Sequence, residues 1–309
     1  MIVNSENLSA MFTGFNTHFN AGFDAVESHY RDIAMVVNST GREEKYGWMG
    51  QVPGLREWIG PRVVKNLTLH DWSIKNRKFE DTISVPRDDI EDDRYGVFGP
   101  FLSEMGRASA EHPDKLIFEL LVTGFTATCY DGQNYFDTDH PVGDGANGAV
   151  TSISNMQAGA GAPWFLLDTS RALKPLVYQE RSAAQLTSLN KDSDINVFMH
   201  DEYLYGVRAR SNAGFGLWQL AYASKADLTA ENYEAARAAM MAFKSDTGRP
   251  LGIKPNVLLA GPGLEGAAMR LLNNGTRIVT VTSGADEVPV AVQNEWAGTA
   301  KPIITPYLT

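Results

Sequence analysis

The sequence predicts an α+β fold, and three observations carry that expectation. Helical stripes and period-two runs are interspersed without a strict strand–helix–strand order. A helical pattern of about 25 residues, well beyond the mean helix length, runs into a long turn-rich stretch. The second half then sets short apolar runs between two further helical segments.

The elements follow in order. Phe12, Phe15, Phe19 and Phe23 recur at spacings of three and four, which is one apolar face of a helix. That stripe needs a cover, either the chain's own core or a neighbouring subunit. A second apolar patch occupies residues 33–37. From 61 to 86 the period changes to two: Leu67 and Leu69, then Trp72 and Ile74, then Phe79, Ile83 and Val85. Between these runs, Lys75, Asn76, Arg77 and Lys78 read as the tip or bend of a β-hairpin. Its apolar face is thin, and a two-stranded hairpin is marginal alone, so it must lie on another surface. An acidic turn at 85–93 leads into a helix from Gly99–Pro100, where a proline at the first helical position is tolerated. Phe101, Leu102 and Met105 start one apolar face, and Leu116, Ile117, Leu120 and Leu121 continue it to Gly124. His112, Pro113 and Asp114 mark a kink or restart, with Asp114 a candidate cap.

Residues 129–162 are rich in Asp-Gly and Asn-Gly and read as a long loop with one short strand or hairpin. Short elements are expected at 166–178 and 195–198, a helix start at 200–205 and a strand or strand pair at 213–224. A helix at 230–243 has cap residues Asp227 and Thr229 and a stripe of Tyr233, Ala236, Met240 and Phe243. A buried strand at 256–260, a helix at 264–273, a strand at 278–282 and an edge strand limited by Pro306 complete the chain.

Composition excludes several classes. The chain has 309 residues, 43% hydrophobic and 21% charged, which is globular usage. Its formal net charge is −10, so a basic nucleic-acid coat is not expected. No apolar run is long enough to span a membrane, and the N-terminus does not read as a secretory signal. The single cysteine, Cys129, reads as a buried small hydrophobe. Charge concentrates between 42 and 94, with ten Lys/Arg and eleven Asp/Glu, about twice the overall density. Dense charges of both signs suit ion pairing across a surface better than attraction of a polyanion.

Chemistry is thinly signalled. Asp131, Asp137, Asp139 and His140 fall within ten residues, and Asp137 and Asp139 would point the same way on an extended chain. Such a cluster would suit a divalent metal and a hydrolase. The competing reading is turn chemistry, with short polar side chains bonding their own backbone. There is no phosphate-binding loop and no nucleophile elbow, and the six histidines are scattered. No cofactor is expected.

Several stretches together resemble the major head subunit family of Mu-like tailed phages. They are Asn4 to Leu8 before the phenylalanine stripe; Trp58, Ile59, Gly60 and Arg62; Phe79, Glu80 and the run 85–93; Tyr130 to Gln133 with Phe136 to Pro141; Phe243 and Lys244 with 248–253; and Pro306, Tyr307 and Leu308. The resemblance spans essentially the whole chain. It implies the Hong Kong 97 type of capsid fold: an N-terminal arm (1–45), an extended β-hairpin loop with the acidic turn (46–95), a peripheral domain with a spine helix (96–150), an axial domain (151–285) and a returning C-terminal strand (286–309). It implies a major capsid protein, not an enzyme, that self-assembles into pentamers and hexamers of an icosahedral head enclosing double-stranded DNA. Expected partners are copies of itself, scaffold, portal and decoration proteins, and DNA touched weakly without sequence specificity, with no membrane. Its expected place is the virion, after assembly in the bacterial host cytoplasm. Candidate intersubunit contacts are Phe12, Phe15, Phe19, Lys65, Lys75, Arg77 and Lys78, with Asp88, Asp89, Glu91, Asp92 and Asp93 as acceptors. The alternatives are an encapsulin-like compartment shell and a metal-dependent hydrolase using Asp137, Asp139 and His140.

Overall fold

The computed structural model describes residues 4–47, 72–92, 94–143, 150–191, 193–246, 248–283 and 286–308. Helix α1 (Ser5–Asp24) starts where the Asn4 side chain accepts from the Asn7 N–H at 2.8 Å. A short α2 (Tyr30–Ile33) leads into β1 (Ala34–Asn38), β2 (Glu43–Lys45), β3 (Ser73–Lys75) and β4 (Arg77–Pro86). Then come α3 (Arg87–Glu91) and α4 (Gly99–Thr123). The turn-rich stretch carries β5 (His140–Val142), β6 (Thr151–Ile153) and β7 (Met156–Gln157). Next are β8 (Trp164–Leu167), β9 (Leu176–Leu189), α5 (Ile195–His200), β10 (Glu202–Phe215) and β11 (Ala221–Ser224). The chain closes with α6 (Ala230–Met241), β12 (Val257–Ala260), α7 (Glu265–Leu272), β13 (Thr276–Ser283), β14 (Asp286–Gln293) and β15 (Lys301–Ile304).

Two sheets organise the body. A four-stranded sheet has the order β1-β9-β10-β4, with β1 parallel to β9 and the other pairs antiparallel. A five-stranded sheet has the order β15-β12-β8-β11-β7. Its central strands β8, β11 and β12 are buried along their whole length, as near-continuous apolar runs require. The larger core gathers around that sheet with α6 and α7, and it includes Leu176 and Tyr178 of β9 and Phe215 of β10. The far halves of β9 and β10 carry the smaller core under α1 and α4. These two 14-residue strands therefore run from one core to the other.

Helices α1 and α4 run side by side in the same direction. Ser103 donates to the His18 carbonyl, Ser28 to the Ala110 carbonyl, and Asp114 accepts from the His29 and Tyr30 N–H groups. The approach is backbone to backbone. A Cβ on Gly22 would stand 1.9 Å from the Ser103 carbonyl oxygen, and one on Gly106 2.0 Å from that of Phe19. Only glycine permits such contact. It presses Leu8, Met11, Phe15 and Phe19 onto Leu102, Met105, Tyr203 and Tyr205.

The 25-residue helix from Gly99 is present as expected, with Pro113 inside it. Asp114 does not cap a restart of its own helix. It is buried and caps the entry to α2 instead. The expected helix start at 200–205 is corrected: α5 ends at His200, Asp201 takes a left-handed φ of 52°, and β10 begins at Glu202. Tyr203, Tyr205 and Val207 alternate inward, which is strand period rather than helix period. The residues 75–78 are not a hairpin tip. The chain changes sheets there, β3 pairing with β2 and β4 with β10. The acidic turn contains one short helix, α3. Residues 151–285 are divided between both sheets, because β9 and β10 return to pair with β1 and β4.

Replacing Gly106 by valine puts a branched side chain into the backbone of Phe19. The expected outcome is destabilisation by about 1–3 kcal/mol or more, read by denaturant unfolding, as for overpacked cores.

Candidate intersubunit surfaces

The phenylalanine stripe is closed by its own chain. Phe15 and Phe19 are each 3% exposed, and Phe12 is half-buried with its ring 6.3 Å from that of Tyr205. Phe15 meets Tyr205 edge-on at 4.9 Å. Phe15 and Phe19, expected as contacts with a neighbour, are corrected to intrachain core residues. The physical reason is the glycine-permitted contact of α1 with α4, which leaves no room for a neighbour between them.

The root of the charged ribbon is built with care. Strands β2 and β3 pair antiparallel, with Glu43 opposite Lys75 and Lys45 opposite Ser73. Ahead of β2, one Glu44 carboxylate oxygen accepts from the N–H groups of Gly41 and Thr40 and from the Ser39 hydroxyl, at 2.7–3.0 Å. Those bonds hold the Glu44 carboxyl below its ordinary range. Behind the root lies Gln179, fully buried on β9. It accepts from the Tyr46 hydroxyl at 2.8 Å and donates to the Ile74 carbonyl at 3.0 Å and to the Asn76 side chain at 2.8 Å. Gly214 clears the space for Ile74, whose Cδ1 would lie 2.2 Å from a Cβ there.

Lys75, Arg77 and Lys78 are exposed at this root and make no ion pair among the described residues. Arg77 lies over the Phe79 ring at 5.2 Å. Lys78 stands directly opposite Arg210 in the β4–β10 ladder. Of the expected acceptors, Glu91 is paired with Arg87 at 3.0 Å, and Asp89 with Arg94 at 3.6 Å. Asp88 and Asp92 are exposed. Lys65 and Asp93 lie outside the described residues, as do Leu67, Leu69 and the other residues between 48 and 71.

His140, Asp131, Asn155 and Cys129 form a hydrogen-bond network. His140 is fully buried; its Nδ1 meets the Asp131 carboxylate at 2.7 Å and its Nε2 meets Asn155 Oδ1 at 3.2 Å. Its ring stacks on Trp218 at 4.0 Å. Cys129 donates its thiol proton to the other Asp131 oxygen at 3.0 Å. Burial pushes the thiol far above its ordinary range. Burial also opposes charge on Asp131, but the bonds from His140 and Cys129 prevail and hold its carboxyl below the ordinary range. Asp137 accepts from the Thr138 and Asn134 N–H groups, which is turn chemistry, and Asp139 is exposed. His140 therefore faces Asp131 and Asn155, not Asp137 and Asp139 as partners in a hydrolytic trio.

Two surfaces escaped the sequence reading. Among the described strands, β13 and β14 form a two-stranded ribbon paired only with each other. Ile278, Val281, Val288 and Val290 on it are exposed. The alternation of each run was the available signal. The second surface is α5, where Ile195, Phe198 and Met199 are exposed.

A model of the family described as Mu-like prophage major head subunit gpT matches residues 8–308. The chain belongs to that family. The chain is 45% identical to the major capsid protein of Escherichia phage Mu over 278 residues, covering 88% of this chain and 91% of that one. It is 43% identical over 300 residues to the Mu-like prophage FluMu major head subunit of Haemophilus influenzae, covering 95% of each. The subunit in the procapsid of bacteriophage JBD30 superposes with a TM-score of 0.82 at 44% identity, covering 99% of this chain and 100% of that one. The JBD30 capsid subunit superposes at 0.75 and 31% identity, with full coverage of both chains. The fold is the phage-capsid fold that the resemblance implied. The chain is a major capsid protein, a structural subunit rather than an enzyme, and neither the compartment-shell nor the hydrolase alternative is favoured.

Asp131→Asn removes the charge that His140 and Cys129 are arranged around. The expected loss is about 1.5–3 kcal/mol at neutral pH, as for a buried hydrogen bond to a charged group. Because the folded carboxyl sits below its unfolded value, its contribution is complete above the usual carboxylate range. It fades as pH falls through the lowered value. Unfolding measured between neutral and acid pH should therefore show a shallower acid-side loss in the variant.

Proposed function

We propose that copies of this chain close an icosahedral head of pentamers and hexamers around double-stranded DNA, pairing head to tail along β4. The layer of the four-stranded sheet with α1 and α4 is the peripheral part, and the layer of the five-stranded sheet is the axial part. The observation that carries the pairing is the charge imbalance along β4. At one end, Lys78 stands opposite Arg210, beside Arg77 and Lys75. Like charges directly opposite in a ladder are unfavourable unless a counter-charge arrives. At the other end, Pro86 pairs with Glu202, and exposed Asp88 and Asp92 follow. Ten residues of strand separate the ends by ~30 Å. That is beyond the reach of screened attraction within one copy, so the two ends suit successive copies.

Each exposed pair contributes only ~0.2–1 kcal/mol, but a closed shell repeats it many times. Lys65, outside the described residues, stays a candidate for an intersubunit ion pair. The net charge of −10 suits a lining that touches DNA weakly and without sequence specificity. A scaffold and a portal protein complete assembly in the bacterial host cytoplasm. The JBD30 capsid is decorated with minor capsid protein trimers, and a decoration protein on this shell follows from that likeness.

Electron microscopy of the expressed protein should reveal closed shells with five-fold and six-fold capsomers. A monomer at every concentration and salt tried would overturn the reading. Lys75→Glu with Lys78→Glu should lower shell yield by about tenfold or more, and adding Asp88→Lys with Asp92→Lys should recover part of it. Equal yields in all three proteins would remove β4 pairing while leaving shell formation intact.

A further inference from the structure

We propose that Asn274 and Gly275, in the short link from α7 to the ribbon of β13 and β14, form a self-modifying site at which the Asn274 amide turns into a mixture of aspartate and isoaspartate. The inference goes beyond the capsid reading and does not depend on it. Asparagine is chemically labile, most so where the next residue has no side chain to block its own backbone nitrogen. Among the described residues this is the one Asn-Gly pair.

The fold leaves the reacting atoms open. Both residues are exposed, and they lie between α7, which ends at Leu272, and β13, which begins at Thr276. Buried Asn294 holds the carbonyls around them. Its side chain donates to the Asn274 carbonyl at 2.7 Å and to the Leu271 carbonyl at 2.8 Å, and its N–H donates to the Gly275 carbonyl at 3.0 Å. The Asn274 side-chain amide and the Gly275 N–H, by contrast, have no hydrogen-bond partner among the described residues. A donor on the Asn274 carbonyl also polarises that peptide unit, which eases loss of the adjoining Gly275 proton. A Cβ on Gly275 would meet nothing within 4 Å, so a ring has room to close.

Base removes the Gly275 N–H proton, and the nitrogen attacks Asn274 Cγ. The new C–N bond closes a five-membered imide as the Cγ–Nδ2 bond breaks, and Nδ2 takes a proton from solvent and leaves as ammonia. Water then opens the imide at one carbonyl or the other, giving aspartate or isoaspartate. Nothing is oxidised or reduced. Asn274 lines a groove with Arg270 and Arg277. Arg277 is paired with Glu295 at 2.6 Å, whereas exposed Arg270 makes no ion pair among the described residues, so the new carboxylate arises near unspent positive charge. Asp131 and Gly132 form the related Asp-Gly pair in the opposite state. The Gly132 N–H donates to the Cys129 carbonyl at 3.1 Å, and the Asp131 carboxylate is held by His140 and Cys129.

The test uses the full chain, incubated warm at mildly alkaline pH beside the same chain in denaturant. Peptide mapping by mass spectrometry locates the acid product, and enzymatic methylation reports isoaspartate. Conversion at Asn274 in the native chain is expected at a rate within about tenfold of the denatured one, as for a link already open to solvent. Both acid isomers should form there, while Asp131 stays unchanged in the native chain. Gly275 has no positive φ, so Gly275→Ala fits the fold. It should slow the native rate by about tenfold or more at an unchanged thermal midpoint, because a Cβ hinders the attacking nitrogen. Asn274→Gln, whose longer side chain closes the ring poorly, should leave the position intact. An Asn274 amide that survives in the native chain overturns the site, as does a native rate that Gly275→Ala leaves unchanged. The readout needs no shell, so a chain that fails to assemble overturns the capsid reading and leaves this one standing.

Discussion

The contact of α1 with α4, backbone against backbone at Gly22 and Gly106, decides which surfaces this chain keeps for itself. Two helices so close cannot admit a side chain from elsewhere, and their shared apolar face falls onto the sheet beneath. The aromatic leading helix is thereby spent on folding. Among the described residues, the charged root of β4, the exposed face of α5 and the ribbon of β13 and β14 stay outside that contact. Burial of Phe15 and Phe19 is worth roughly 1.5–3 kcal/mol each relative to exposure. A subunit folded before it meets its neighbours benefits from having that contribution within one chain.

The ribbon root follows a complementary logic. A two-stranded ladder of three residues a side has little stability of its own. Gln179 offsets this with three hydrogen bonds in a fully buried position, to Tyr46, Ile74 and Asn76. Buried amides left unpaired are costly, so the three partners hold one another in place. The root is tied to the four-stranded sheet through Gln179. Strand β4, at the sheet edge, carries charges along much of its length. Such residues discourage indiscriminate edge pairing while leaving room for a selective ionic contact.

Much of this was legible from residue order, and the limits have physical causes. The 25-residue α4, the capped α6 and the buried strand β12 announce themselves by period, cap and flanking glycine or proline. The stripe of α1 was equally clear, but a stripe records only that a cover exists, not whose it is. Glycines 22 and 106 resolve that question through a contact between residues more than eighty positions apart, which no local period can register. Strand β9 was half hidden, because its second half, Arg181 to Leu189, alternates weakly and contains two alanines and two serines. Likewise Asp131 and His140 could be seen as neighbours in sequence, but their third partner, Asn155, and the Trp218 ring come from other strands and turns. Without them the cluster reads as ligands; with them it is a buried hydrogen-bond network fastening the turn-rich stretch to the larger core.

A shell protein faces a constraint that a monomeric enzyme does not. Contacts too strong at first meeting trap wrongly placed subunits, whereas contacts too weak never close the lattice. In the assembly proposed above, charged and apolar surfaces would share this work. The proposed ionic contacts at the root of β4 would be long-ranged, salt-screened and individually worth less than about 1 kcal/mol, so they would orient an incoming copy and release it if misplaced. An exposed apolar face such as that of α5 acts only at close range, through area removed from water, at roughly 25 cal/mol per Å². Orientation by charge followed by locking through apolar burial lets errors dissociate before they are fixed.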